Sequence, residues 1–378
     1  MHRIYLDYNA TTPLDPNVLE AMLPYLREHY GNPSSGHWFG AQARTAVEQA
    51  RGQVAALLGA DPWEIVFTSG GSESDNWAIK GIAEANRDRG DHIITSQIEH
   101  PAVLSTCRYL EGQGLRVTYL PVDGYGQVDP DDVSRAITPR TILISIMHAN
   151  NEVGTIQPIA AIGAIARERG IYFHTDAAQS VGKIPTEVDQ LRVDLLTVAG
   201  HKLYAPKGVG ALYVRRGTRI APLIHGAGHE GGRRAGTENV AGIVGLGQAC
   251  AIAAQTMAET GERLRALRDR LHRGLAARVG GLRLNGHPTQ RLPNTLNLSF
   301  EGLDAHALLA SLPEIAASTG SACHAGATEP SPVLTAMGLP TEIALGAVRF
   351  SLGKQNDQQE IDRVVELLAV VGQSIPAC

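Results

Sequence analysis

Cysteine is scarce in this sequence and scattered. Four occur in 378 residues, at positions 107, 250, 323 and 378, and no two form a Cys-x-x-Cys pair. That excludes a disulfide framework and a structural zinc site, and it leads us to expect a reducing, cytoplasmic setting. Basic blocks are missing too: 33 basic residues stand against 38 acidic ones, a formal charge of -5. A nucleic-acid partner is therefore not expected. The N-terminal run MHRIYLDYNATTP has no apolar stretch after its charged start, so no signal peptide is expected. Long hydrophobic runs are absent as well. The most apolar segment, AGIVGLGQACAIAAQTM, is interrupted by Gln248 and falls short of about 20 residues, so a membrane span is not expected.

What is present is a chain that is 43% hydrophobic and only 19% charged, enough for a large core divided into two domains. Short β-branched runs (EIVFT, HIITS, RVTYL, TILISIM, IYFHT, LLTVA and VGALYV) alternate with helical stretches such as ESDNWAIKGIAEANR and PIAAIGAIARERG. The alternation predicts an α/β fold with a mostly parallel seven-stranded sheet wrapped by helices. Beyond residue 257, Leu264, Leu267, Leu271 and Leu275 recur at helical spacing and predict a long amphipathic helix leaving the large domain. A smaller α+β unit follows, closing on EIDRVVELLAVV, for which Asn356 and Gln359 would form a capping box. We expect a large domain over 16–257, and a small domain over 1–15 and 258–378.

Lys202, in TVAGHKLYAPKGVG, follows a buried strand, and Asp176 ends the earlier apolar run GIYFHTDAAQS. A lysine that can hold an aldehyde covalently, with a carboxylate to keep a pyridine nitrogen protonated, points to pyridoxal 5'-phosphate. In IVFTSGGSESDNWAIKG, Gly70 and Gly71 allow close backbone approach, Ser72 offers a hydroxyl, and a helix start favours a phosphate. This turn carries neither GKS, GKT nor GxGxxG, so a single phosphate is preferred to a nucleotide. His100, in SQIEHPAV, reads either as a helix cap or as an imidazole that stacks on a planar ring and moves protons. Asn151, in MHANNEVG, is a turn former in isolation, yet with Asp176 and Gln179 it falls at strand carboxyl ends, where open sheets bind ligands.

In HGAGHEGGRRAGTENV, His225 and His229 suggest a metal, but the glycines forbid the helix that would align them, and no metal site is expected. A mobile loop offering Arg and Thr donors to an anion fits better. Cys323, in STGSACHAG, sits among small residues that make a poor core and a good loop, so it is a candidate nucleophile, with His324 beside it. Ser331 and Pro332 read as cap and first residue of the next helix. Cys107 and Cys250 read as core.

Taken together, YLDYNATTP, GNPSSGHWFG, FTSGGSESDN, EHPAV, HANNEVG, TDAAQSVGK, GHKLYAPKGVGALYV, GAGHEGGRRAGTENV, STGSAC, EPSPVLTAMGL and VRFSLG run from end to end. On them the chain resembles the cysteine desulfurases of the NifS and IscS type. The resemblance implies a fold type I pyridoxal phosphate homodimer that turns L-cysteine into L-alanine and hands the sulfur to an acceptor such as an iron–sulfur scaffold. It implies Lys202 as catalytic lysine, His100 as ring-stacking histidine and Cys323 as the sulfur-accepting cysteine. Asp176 then matches the pyridine-nitrogen aspartate, and Gln179 and Asn151 match polar contacts to the ring. Gly71, Ser72 and His201 match the phosphate site, with Thr237 supplied across the dimer interface. Arg349 matches the arginine that grips the substrate carboxylate. Two positions depart from the pattern: Ala199 stands where many relatives have serine, and His324 follows the cysteine. The ACH run and the PSPVL helix start are also similar to the selenocysteine lyases, which leaves L-selenocysteine as an alternative substrate.

Overall fold

All seven β-branched runs fold as strands of one sheet. The computed structural model describes residues 3–319 and 329–374, with side chains through residue 370. Cys323 and His324, with the rest of the run 320–328, lie outside the described residues, as does Cys378. The strands are β1 (Ile4–Tyr5), β2 (Ile65–Thr68), β3 (His92–Ser96), β4 (Arg116–Leu120), β5 (Thr141–Ser145), β6 (Tyr172–Asp176), β7 (Leu195–Ala199), β8 (Gly210–Val214), β9 (Leu282–Asn285), β10 (Thr295–Phe300), β11 (Ile315–Ala316) and β12 (Ala347–Ser351). The seven-stranded sheet has the order β2-β8-β7-β6-β5-β3-β4. Only β8 opposes its neighbours there, pairing antiparallel with β2 and β7, while β3, β4, β5, β6 and β7 pair in parallel. Central strands such as β5 and β7 are buried along their whole length, which is why they read as continuous apolar runs.

A second, antiparallel sheet has the order β12-β10-β9, and β1 pairs in parallel with β11. The segment that the sequence reads as too short for a membrane span is the first part of a 37-residue helix, Val240–Ala276. That helix is long and apolar enough to cross a bilayer by length and composition alone. Its apolar positions nonetheless pack inside the protein. Ile243, Leu246 and Cys250 join the core beneath the large sheet, and Leu264, Leu267, Leu271 and Leu275 join a second core with β10, β12 and the final helix. Cys107 is likewise fully buried.

Ser331 caps the helix Pro332–Ala336 as its sequence suggests, accepting from the amides of Val333 and Leu334. The final helix, Gln358–Ser374, starts differently from expectation. Asp357 accepts from the Glu360 amide, whereas Asn356 is turned inward to accept from Gly353 and donate to the Tyr5 carbonyl. An aspartate one residue later is the stronger cap, and burial claims the asparagine. The two cores fall within 16–257 and within 1–15 with 258–378, but a further buried cluster crosses the expected boundary, packing Ile98, Met147 and Val153 with Val333, Leu334 and Met337.

Candidate active site

The loops leaving the carboxyl ends of β2, β3, β5, β6 and β7 converge on a cavity of about 410 Å³. This is the position at which an open α/β sheet offers a crevice. Lys202 is delivered to it by the short 3-10 turn Gly200–Lys202 that follows β7. Its Nζ donates to the carbonyls of Asn9 (2.5 Å) and Ala10 (2.7 Å).

Asp176 is the last residue of β6 and is 6% exposed. Its Oδ1 accepts from the Ala178 amide at 2.8 Å. Burial raises its pKa, against the pull of that amide, His100 and Lys202. Asp75, on the helix Gly71–Ala85, reaches the same cavity. Its pKa is raised well above the carboxylate range by burial and by Asp176, and its Oδ1 has no hydrogen-bond partner among the described residues. A buried carboxylate pair of this kind suits a cation placed against it.

The helix Gly71–Ala85 begins at Gly70 (φ 147°) with no side-chain cap, so its first amides are open to an anion. A Cβ at Gly71 would lie 3.3 Å from the Cβ of Ala199, a tight contact that glycine avoids while the turn stays close against β7. Ser72 and His201 border the same end of the cavity. His201 Nδ1 shares a hydrogen bond with Thr11 Oγ1 at 3.1 Å, and burial together with Lys202, Lys207 and Lys183 pulls it down to about 4.

The helix-cap reading of His100 holds, and the residue also reaches the cavity. It caps the helix Pro101–Glu111, its Nδ1 accepting from the Ala102 amide at 3.1 Å, and it also borders the cavity. The cap fixes Nδ1 as an acceptor and leaves Nε2 for the proton. Burial lowers its pKa, with Asp176 opposing and Lys202 assisting.

Arg349, on β12, is 2% exposed. One terminal nitrogen donates to Asp7 Oδ1 at 2.7 Å and the other to the Asn151 carbonyl at 3.1 Å, while Nε has no partner among the described residues. Gln179 borders the cavity, but its amide is engaged on both sides, donating to the Asn9 carbonyl and accepting from Lys183.

Thr237 is exposed and does not line the cavity within one chain. The glycine-rich run around it is tied down, in contrast to the mobile loop expected. Glu230 makes a two-pronged pair with Arg51 (2.7 and 2.9 Å) and accepts from the Phe67 amide at 3.0 Å. Its arginines are not offered to an anion either: Arg234 pairs with Glu73, and Arg233 stacks over Trp63. The described residues contain no cluster able to hold a metal ion.

The sequence reading missed Asn9, Lys183, Glu99 and Glu152. Burial pushes Glu99 up to about 8 although it accepts from Ser96 and Met147, and pushes Glu152 up to about 7 although it accepts from Ser331. Their only signal is that each adjoins a motif residue: Glu99 precedes His100, and Glu152 follows Asn151.

Comparison with known proteins gives one family. The model of the class-V aminotransferases matches residues 4–364. A curated relative, "Cysteine desulfurase IscS" of Methanosarcina thermophila, is 55% identical over 374 residues, covering 98% of this chain and 92% of its own. A solved structure described as a "NIFS-LIKE PROTEIN" superposes with a TM-score of 0.93 at 41% identity, covering 99% of this chain and 100% of the other. Another, "SspA in complex with cysteine", gives a TM-score of 0.84 at 43% identity over 92% of this chain and 98% of its own.

Proposed function

Because the chain belongs to the cysteine desulfurases within the class-V aminotransferases, we propose that it converts L-cysteine to L-alanine using pyridoxal 5'-phosphate on Lys202, and leaves the sulfur as a persulfide on Cys323. The observation that carries the proposal is the convergence, in one cavity, of a lysine, a buried carboxylate pair and an uncapped helix start beside a buried arginine. The residues fit the cofactor by their chemistry. The buried carboxylates suit a ring cation, the open amides suit a phosphate, and a cavity of about 410 Å³ is of the size that small molecules occupy.

When bound, pyridoxal 5'-phosphate supplies an aldehyde carbon that joins amines and a cationic ring that accepts an electron pair. Lys202 Nζ is the group placed to hold that carbon and then to take the substrate α-proton. Asp176, whose burial opposes an isolated charge, balances the ring cation. Gly71, Ser72 and His201 hold the phosphate, with Thr237 of a second copy added in a homodimer. Arg349 binds the substrate carboxylate, and the Asn151 carbonyl fixes its orientation. Asn151 and Gln179 form the polar border of the ring and substrate positions. His100 Nε2 gives or receives the proton at the substrate sulfur.

The transfer step balances without an outside oxidant. The Cys323 thiolate attacks the sulfur of L-cysteine, a sulfur–sulfur bond forms, the carbon–sulfur bond breaks, and its electron pair returns to the carbon skeleton that leaves as L-alanine. An acceptor protein, such as an iron–sulfur scaffold, then takes the outer sulfur. The scattered cysteines support a reducing cytoplasm as its setting.

Alanine release from L-cysteine and from L-selenocysteine, measured side by side for the parent and Cys323→Ala, tests this reading. We expect alanine from cysteine that disappears in the variant. Alanine from selenocysteine alone, or release indifferent to the substitution, would move the chain to a selenocysteine lyase or out of sulfur transfer.

A further inference from the structure

Arg349 and Asn151 border the cavity, and Asp7 does not. Yet Asp7 Oδ1, at 2.7 Å, is closer to the Arg349 guanidinium than the Asn151 carbonyl is at 3.1 Å. Asp7 therefore stands behind the arginine, away from the space that a ligand would fill. The backbones of both partners are fixed. Arg349 pairs with Asn297 of β10, and its amide and carbonyl exchange hydrogen bonds with Ser318 at 2.7 and 3.2 Å. The Asp7 carbonyl accepts from the Ala10 amide and the Tyr5 hydroxyl, and Asp7 bridges in parallel to Ser351 on β12.

What the backbone leaves open is the long side chain of Arg349, which has many rotamers to lose. Asp7 and the Asn151 carbonyl hold it at two points. A guanidinium carries five N–H groups, and these partners take one each. Three remain, including that of Nε, which has no partner among the described residues. A carboxylate takes two in parallel, so the cavity side keeps enough donors for a two-pronged grip. Charge points the same way. A buried guanidinium with no counter-charge is costly, and turning to a carboxylate inside the cavity would relieve it. Glu152 is such a carboxylate: it borders the cavity, feels the Arg349 charge and already accepts from Ser331. A counter-charge placed behind the arginine leaves its cavity edge free.

We propose that Asp7 is a positioning residue for the reaction: it holds the Arg349 guanidinium from behind, so that the remaining N–H edge meets the substrate carboxylate and selects amino acids over plain amines. It rests on the role given to Arg349 above.

The test uses the full-length protein with cofactor bound, whose visible absorbance reports the binding of amines. L-Alanine and ethylamine differ by the carboxylate alone. We expect Asp7→Ala to weaken L-alanine about tenfold, the worth of one charge-assisted hydrogen bond, and ethylamine by less than about twofold. Asp7→Asn keeps an oxygen at the same place, so its loss for L-alanine should shrink to about two- to threefold. With L-cysteine the same order should appear in KM, with kcat changed less than about threefold, because the grip acts on substrate and transition state alike. Equal weakening of both ligands would make Asp7 a support of the fold only. Tighter L-alanine in either variant would make it a competitor of the carboxylate, and unchanged L-alanine would show Arg349 placed without it. Each of these overturns the proposal. If Asp7→Ala does not fold, Asp7→Asn decides by the same comparison of the two ligands. A parent that binds L-alanine no better than ethylamine would instead overturn the role of Arg349 itself.

Discussion

At the scale of single residues, the site is a set of groups held in states they would not choose in water. Burial raises the Asp176 pKa against the pull of Lys202 and His100, so a ring cation placed against it favours its charged form. Asp176→Asn keeps the shape and removes that charge, and we expect turnover on L-cysteine to fall by about 100-fold or more, measured as alanine release. Unchanged turnover would remove Asp176 from the mechanism. His148, between the strand β5 and Asn151, is 4% exposed, has an unpartnered Nδ1, and is pulled by burial down to about 4. The unfolded chain takes up this proton near 6.5 and the folded chain only near 4. Stability from this residue is therefore intact above pH 6.5 and lost as pH falls through that window, by about 3 kcal/mol in total. Glu99, raised to about 8, works in the opposite sense as pH rises above the ordinary carboxylate range. His148→Gln should flatten the acid side of a stability-against-pH curve from denaturant unfolding, and an unaltered slope would refute the assignment. Lys202, Asp176 and His100 were legible because each follows a strand in a recognisable turn. Asn9 and Lys183 were not, since Asn9 meets Gln179 across 170 positions and Lys202 across 193. Such meetings are written only in the folded chain.

At the scale of elements, the strands and the helix starts do the placing. The turn from β2 into the helix Gly71–Ala85 packs against Ala199 at the end of β7. Since Gly71 has no Cβ, a hydroxyl on residue 199 has room beside the helix start. Ala199→Ser should tighten pyridoxal phosphate binding by about 2- to 10-fold, the worth of one neutral hydrogen bond, as read from equilibrium titration. Weaker binding would show that the turn is already filled. The seven strands were legible from β-branched runs, and the reversal of β8 had a signal that periodicity alone does not carry. Only positions 200–209 separate β7 from β8, too few for the crossover that a parallel neighbour requires. The capping of the final helix was misread by one position because Asn356 and Asp357 are both good caps, and burial of Asn356 decided between them. The glycine-rich run was misread as mobile for a similar reason: its anchor, Glu230, pairs with Arg51 from a helix 179 positions away.

At the scale of the whole molecule, one 37-residue helix joins two cores and the N-terminal segment closes the seam between them. The Glu230–Arg51 pair clamps the glycine-rich run to the large sheet with both side chains under 10% exposed. Glu230→Gln leaves the buried Arg51 guanidinium with only the exposed Glu48 to balance it, at a cost of about 1–3 kcal/mol in unfolding free energy, measured by denaturant titration. A loss below about 0.5 kcal/mol would mean the pair is spectator to the fold. The division into segments 16–257 and 1–15 with 258–378 came from a change of texture near residue 257, and the leucine spacing beyond it did mark the second core. The continuity of the helix through that point was hidden, because none of residues 254–260 between the two buried stretches is itself buried. The account as a whole rests on sulfur leaving L-cysteine for Cys323. Mass spectrometry of the peptide containing Cys323, after a single turnover with L-cysteine and alkylation, is the most direct check. We predict that this peptide gains one sulfur atom in step with alanine release, and that Lys202→Ala abolishes both. Alanine released without sulfur on Cys323, or sulfur found on another cysteine, would contradict the account.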